Sequence, residues 1–332
     1  MYSVPGRTAS RYPLPVDHGI VPEQQSLFPD ASGHDSELEA VAKLILDEDP
    51  EGRRFAATVR RSIDMLLDGQ HTGRFRWDQL YKTEKAHLGT LIEINLQREF
   101  EFADGDRMDY QIAGVDVDCK FSQARGAWMI PPEAHGELLL VVWANDNDSA
   151  WCAGLVRADP GMLNAGGNRD AKRTLSAAGR HAVRWLFYNA PLQDNMLLRL
   201  PPEDIAAVFK HKSGQRRVDE LFIRAQGRRI SRTVVATVAM QEDYMKRVRY
   251  NGGARSRLQK HGIVILGHYS NHGVVAGRLG LPVPLAGESV SARLARLRPH
   301  HGDAQWVELE GERWTLASPS DPEEFVPKLP EI

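Results

Sequence analysis

From residue 36 the chain runs through two hydrophobic rhythms in turn. SELEAVAKLILDED places apolar residues at Leu38, Val41, Leu44 and Ile45, the spacing of a helix with one buried face. Ser36 stands where an N-cap belongs. Residues 53–67 repeat the pattern with Phe55, Val59, Ile63 and Leu66 on one side. TEKAHLGTLIEINLQREF predicts a third helix, capped by Thr83, with Glu84 in its first turn. Its buried stripe is Leu88, Leu91, Ile92 and Leu96, and Glu93 lies beside that stripe in mid-helix.

The period then shortens to two. DYQIAG and VDVDCKF predict a hairpin turning at Ala113-Gly114. ELLLVVWA (137–144) is a continuous apolar run of central-strand length, and AWCAGLVRA (150–158) alternates as another strand. Helices followed by strands and then helices predict an α/β fold with a mixed sheet. Residues 186–205, with Pro191, Pro201 and Pro202, read as a transition. Beyond them RVDELFIRAQGRR (217–229) is amphipathic. SRTVVATVAMQ (231–241) and EDYMKRVRY (242–250) come next at short spacing, and GIVILGH (262–268) reads as a strand. Helix, turn, helix and strand outline a winged helix–turn–helix module. Residues 1–35 hold Pro5, Pro13, Pro15, Pro22 and Pro29 with little periodicity, and read as a flexible arm.

Composition narrows the class. The chain has 332 residues and a mean hydropathy of −0.41, ordinary for a globular protein of about two domains. No window approaches the ~20 apolar residues of a membrane-spanning helix, and MYSVPGRTASRYPLPVDHG lacks the apolar stretch of a secretory signal. The two cysteines, Cys119 and Cys152, lie in strand-like runs and read as free buried thiols of a cytoplasmic protein. The histidines, His300-His301 included, show no zinc spacing with them. Trp128 and Trp143 read as core.

Charge separates the halves. Residues 1–170 carry 17 Lys+Arg against 28 Asp+Glu, a balance of −11; residues 171–332 carry 25 against 16, a balance of +9. Residues 210–260 alone hold 14 basic and 4 acidic side chains. Such an excess predicts a polyanion partner for the second half. Lys246, Arg247, Arg249, Arg255 and Arg257 are its densest part, around Gly252-Gly253. Arginine suits bidentate contacts to guanine edges and phosphates.

The candidate chemistry is in MDYQIAGVDVDCKFS (108–122). Strand alternation puts Asp116, Asp118 and Lys120 on one face and Val115, Val117, Cys119 and Phe121 on the other. Folding back at Gly114 brings Asp109 near Asp118. Two converging carboxylates suit Mg²⁺, which takes one or two carboxylates plus water and phosphate oxygens. A lysine pointing into the same pocket can hold an attacking water and steady charge on phosphorus. That set fits metal-assisted phosphodiester hydrolysis. An isolated Asp-x-Lys would more often be a solvated strand edge.

Asp…Asp-x-Lys on a hairpin resembles the PD-(D/E)xK nuclease pattern, with Met108-Asp109 in place of Pro-Asp. DGQHTGRF, DQLYKTEKAHLGTLIEINLQREF, AGVDVDCKFS, GAWMIPPE, VAMQEDYMKRVR, GGARS and GIVILGH resemble the NaeI-type restriction endonucleases from residue 36 to about 285. The resemblance implies a mixed-sheet endonuclease domain (36–186) after the arm (1–35), and a helix–turn–helix DNA-binding domain (187–332). It implies a Mg²⁺-dependent homodimer that binds two copies of a GC-rich palindrome such as GCCGGC in double-stranded DNA and leaves 5′-phosphates. It places Glu93, Asp109, Asp118 and Lys120 at the active-site positions, with Asp109, Asp118 and Glu93 on the metal side, and leaves Asp116 out. Leu66-Leu67-Asp68-Gly69 resembles the Lys-x-Asp-Gly segment of DNA ligases, but Leu66 cannot form a phosphoramide. A non-catalytic DNA-binding protein and a topoisomerase-like strand-passage enzyme are the rival readings.

Overall fold

The computed structural model describes residues 35–329, and the arm expected over 1–35 falls outside them but for Asp35. Helices α1 (Ser36–Glu48), α2 (Arg53–Leu67), the single turn α3 (Gly69–Thr72) and α4 (Lys82–Phe100) come first. The start of α4 differs in detail from expectation. The Glu84 carboxylate accepts the Tyr81 N–H at 2.7 Å, so Glu84 rather than Thr83 closes this helix end.

Strands β1 (Ala103–Asp104), β2 (Tyr110–Ile112), β3 (Val115–Ser122), β4 (Leu138–Asn145) and β5 (Ala150–Arg157) come next. After the short helix α5 (Ala177–His181), β6 (Arg184–Pro191) completes a six-stranded sheet in the order β1-β2-β3-β4-β5-β6. Only the β3–β4 pair is parallel, so the sheet is mixed, as the rhythm change implies. Ala113 and Gly114 both have positive φ, 54° and 77°. That is the two-residue turn whose twist matches its flanking strands, and it sets Tyr110 opposite Val117. Residues 186–205 read as transitional, yet Arg184–Pro191 pairs with β5 and carries the sheet past residue 186. Pro191, with no N–H to give, ends this outer strand.

Both faces of the sheet are buried. Leu138, Leu140 and Val142 of β4 join Val117 and Cys119 under the apolar stripes of α1, α2 and α4. Phe55 of α2, fully buried, stacks on Trp151 with centroids 5.4 Å apart; burying such a ring stabilises by about 1.5–3 kcal/mol. Leu139, Val141 and Trp143 point the other way, against Trp128, Ile130, Leu163 and Leu175.

The rest of the chain supplies α6 (Pro202–Phe209), α7 (Gly214–Arg224), β7 (Arg229–Ser231), α8 (Arg232–Ala239), α9 (Ala254–Arg257), β8 (Ile263–Gly267), α10 (Ser270–Arg278), β9 (Glu288–Arg296), β10 (Trp306–Leu309) and β11 (Glu312–Leu316). Strand β9 is central, paired with β7, β8 and β11. Residues 242–250 are not a third full helix. Met240 turns left-handed at φ 52° and ends α8, leaving one tight turn over Tyr244–Arg247.

Two polar devices hold this assembly. Arg217, one of the cations in the basic excess of 210–260, is buried in α7 and donates to the carbonyls of Val238, Ala239, His211 and Lys212. It satisfies the open C-terminal carbonyls of α8 and fixes how α7 crosses it. The second device joins the six-stranded sheet to the helical region. Buried Arg60 of α2 pairs with Asp64 and with Asp146 at the end of β4. Asn195 reaches both Asp146 and the Phe75 carbonyl.

Candidate active site

The hairpin turn decides the geometry. Asp109 immediately precedes β2, one step beyond the Tyr110–Val117 pair, and so comes level with Asp118. Its Oδ2 accepts the Cys119 N–H at 2.7 Å. The Lys120 ammonium donates to Asp118 Oδ1 at 2.6 Å and lies 3.8 Å from Asp109 Oδ2. Asp109, Asp118 and Lys120 therefore converge, as alternation predicts.

The electrostatics of the three are uneven. Burial pushes the Asp118 carboxyl up to about 6, although Lys120 pulls the other way. Burial also works against the Lys120 charge, but Asp118 and Asp109 outweigh it and the net shift is upward. Lys120 is thus an ammonium at neutral pH. It can hold a water and stabilise negative charge, but it has no free lone pair with which to take a proton. The second oxygen of Asp118, Oδ2, is buried with no hydrogen-bond partner. A buried carboxylate oxygen without a donor is costly. The donor set is all oxygen, which fits a hard divalent cation.

Glu93 enters from α4. Its backbone carbonyl accepts the Tyr110 hydroxyl at 2.7 Å, which ties the middle of α4 to the hairpin. Its half-buried carboxyl is raised by burial and by Asp109, against the pull of Lys120, so it shares their field. Sequence reasoning missed the Tyr110 tie, because no local pattern signals a contact over 17 residues. Asp116 plays a different part. It accepts the N–H groups of Asp106 and Arg107, both at 3.0 Å, and pins the loop that carries Asp109. Cys119, buried on the opposite side of β3, has its thiol pushed up to about 12 by burial and is inert.

The comparisons with known proteins bear on this site. The family model for restriction endonuclease NaeI matches residues 39–324. The chain is 50% identical over 304 residues to the type II restriction enzyme NaeI of Lentzea aerocolonigenes, covering 89% of this chain and 95% of that one. The chain belongs to the NaeI restriction-endonuclease family.

Membership makes it a site-specific deoxyribonuclease of type II, and it sharpens the remaining features. In this NaeI-family chain, most of the basic residues singled out in the helical region have partners within the protein. Lys246 pairs with Asp243, Arg247 with Asp243 and Gln241, and Arg257 with Asp219. Arg255 donates to the Ile265 carbonyl, its guanidinium beside the Tyr250 and Tyr269 rings. Arg249 is exposed. The structure brings these five to one region, apart in sequence from the carboxylate cluster.

Two other features of the NaeI-family chain do not form sites. Leu66 is buried in the core, and Asp68, left-handed at φ 49°, ends α2. Gly69 is there for close approach: a Cβ would meet Thr237 Oγ1 of α8 at 2.1 Å. His300, His301 and Asp321 are clustered as if for a metal. However, His301 Nδ1 accepts the Arg298 N–H at 2.9 Å, so Nε2 carries the proton and donates to Asp321 at 3.0 Å. No lone pair is left on that ring for an ion. Among the described residues no helix is long and apolar enough to cross a membrane.

Proposed function

We propose that Asp109, Asp118, Lys120 and Glu93 are the cleavage centre and that it works with Mg²⁺. The buried, unpartnered Asp118 Oδ2 beside Asp109 carries this reading. Asp109 and Asp118 would hold the ion, with Glu93 on the same side. When bound, Mg²⁺ supplies charge neutralisation at the scissile phosphate and lowers the pKa of water. Lys120 orients the attacking water and offsets the charge that builds on phosphorus. Asp116 keeps Asp109 in place through its loop. In-line attack leaves a 5′-phosphate and a 3′-hydroxyl.

The helical region fits the second DNA-binding domain, beginning near residue 187. Its order of α7, β7, α8, α9, β8 and β9, with β9 between β7 and β8, supports a winged helix–turn–helix. In it α9 would approach the groove with Arg255 and Arg257, and Lys246, Arg247 and Arg249 would flank it. The exposed Lys246–Asp243 pair contributes little, so Lys246 can exchange Asp243 for a phosphate; Arg247 and Arg257 would leave the part-buried Asp243 and the buried Asp219 to do so. The same proposal includes a homodimer in the cytoplasm that engages two copies of a GC-rich palindrome such as GCCGGC; the family kinship supports it.

The test is plasmid DNA with Mg²⁺, wild type beside Lys120→Ala. Discrete fragments from wild type alone are expected. Equal cutting by both would remove Lys120 from the centre.

A further inference from the structure

The half of the chain that holds the cleavage centre is acidic, at −11 over residues 1–170. A duplex bound there needs local positive charge. The side chains of Asp118 and Lys120 leave β3 on the same sheet face as their β4 partners Leu139 and Val141. Those two belong to the buried cluster that also contains Ile130, Leu163 and Leu175. Leu163 and Leu175 pair across the base of a hairpin, residues 163–175. Its strand at Arg173 exchanges two 2.8 Å hydrogen bonds with Ile130, in the segment after β3. The hairpin is thus rooted over the face into which the centre points.

Its tip carries two cations, Arg169 and Lys172, with Asp170 between them, and is preorganised. Asn168 Oδ1 accepts the N–H groups of Asp170 and Lys172, both at 3.0 Å, and the Asn168 N–H returns to the Lys172 carbonyl. Residues 164–171 are exposed. Arg169 is exposed on this turn and Lys172 part-exposed beside it; neither has an ion-pair partner among the described residues, whereas Lys246, Arg247 and Arg257 of the helical region each have one. A long-chain cation without an ion-pair partner, on a hydrogen-bonded turn whose base is rooted over the face of the phosphodiester centre, is suited to backbone phosphates.

We propose that hairpin 163–175 is a DNA-gripping element of the cleavage half, with Arg169 and Lys172 contacting the sugar–phosphate backbone next to the scissile bond. This rests on the assignment of the centre to Asp109, Asp118 and Lys120.

The full-length chain with Arg169→Ala/Lys172→Ala should cut plasmid at least about tenfold more slowly at physiological salt. Its plot of log affinity against log salt, measured on a short duplex without Mg²⁺, should flatten by about two phosphates' worth. Arg169→Lys/Lys172→Arg should cut at close to the wild-type rate. Both native thiols are buried, so Arg169→Cys offers one exposed attachment point for a photocrosslinker. Adducts should map within a few base pairs of the cut. Wild-type rate and salt slope in the double alanine variant, or adducts confined to distant DNA, would overturn the proposal. Failure of the underlying centre looks different: Lys120→Ala would then cut like wild type.

Discussion

Lys120 Nζ lies 2.6 Å from Asp118 Oδ1, and this contact makes the two oxygens of one carboxylate unlike. Oδ1 has an ammonium; Oδ2 is buried with no hydrogen-bond donor, and the Asp109 carboxylate lies against Asp118. The consequence is a division of labour, in which Lys120 offsets only part of the charge and leaves one oxygen for a cation. Asp118→Asn and Lys120→Ala should each lower cleavage by about 10²- to 10³-fold or more, with the fold intact by circular dichroism. Duplex binding should persist in both. A cleaving Asp118→Asn enzyme would refute the division.

The raised Asp118 pKa sets a pH dependence. Its folded value, about 6, is above the ordinary 3.8, with burial the main cause. The folded protein therefore holds this proton more tightly than the unfolded chain. The contribution is fully present below about pH 4 and is lost as pH rises through 6. In chelator, the melting temperature should carry this loss between pH 4 and 6. Mg²⁺ should raise it clearly at pH 7.5 and little at pH 5, and Asp118→Asn should abolish the difference. Equal stabilisation by Mg²⁺ at both pH values would contradict the assignment.

Asp116 tests position against chemistry. It accepts the N–H groups of Asp106 and Arg107. Its removal should let the Asp109 loop drift, and displacement of about 1 Å costs on the order of 10²-fold. Asp116→Asn keeps an acceptor oxygen and should recover much of the rate. Stopped cleavage in Asp116→Asn would mean that Asp116 acts on the reaction itself.

Arg60 tests the join between sheet and helical region. Its pKa is raised because Asp64 and Asp146 outweigh the effect of burial. Arg60→Ala takes the cation from both carboxylates, leaving Asp146 only Asn195 among the described residues, and breaking such a buried pair costs about 3–5 kcal/mol. The urea midpoint should fall accordingly. Replacing Arg60 by Met and Asp146 by Leu together should cost less than Arg60→Ala, because only Asp64 is then left without its cation.

Sequence by itself determined the local periods and the elements they produce. The three long helices, the hairpin at Ala113-Gly114, strands β4 and β5, and the convergence of Asp109, Asp118 and Lys120 are all legible. Alternation and a two-residue turn leave the chain little choice there. Glu93 was legible only through the family resemblance, since a glutamate beside a helix stripe carries no signal of its own. Tertiary structure decided the rest. Strand β6 runs into a stretch that reads as transitional and exists because β5 offers it an unpaired edge. Arg217 adds to the basic excess in sequence and proved to be a helix cap, because charge counting cannot see burial. Asp116 and Asp118 are two residues apart on one face, yet one pins a loop and the other keeps an empty oxygen. That difference comes from which backbone N–H groups the fold delivers to each, and neighbours far along the chain settle it.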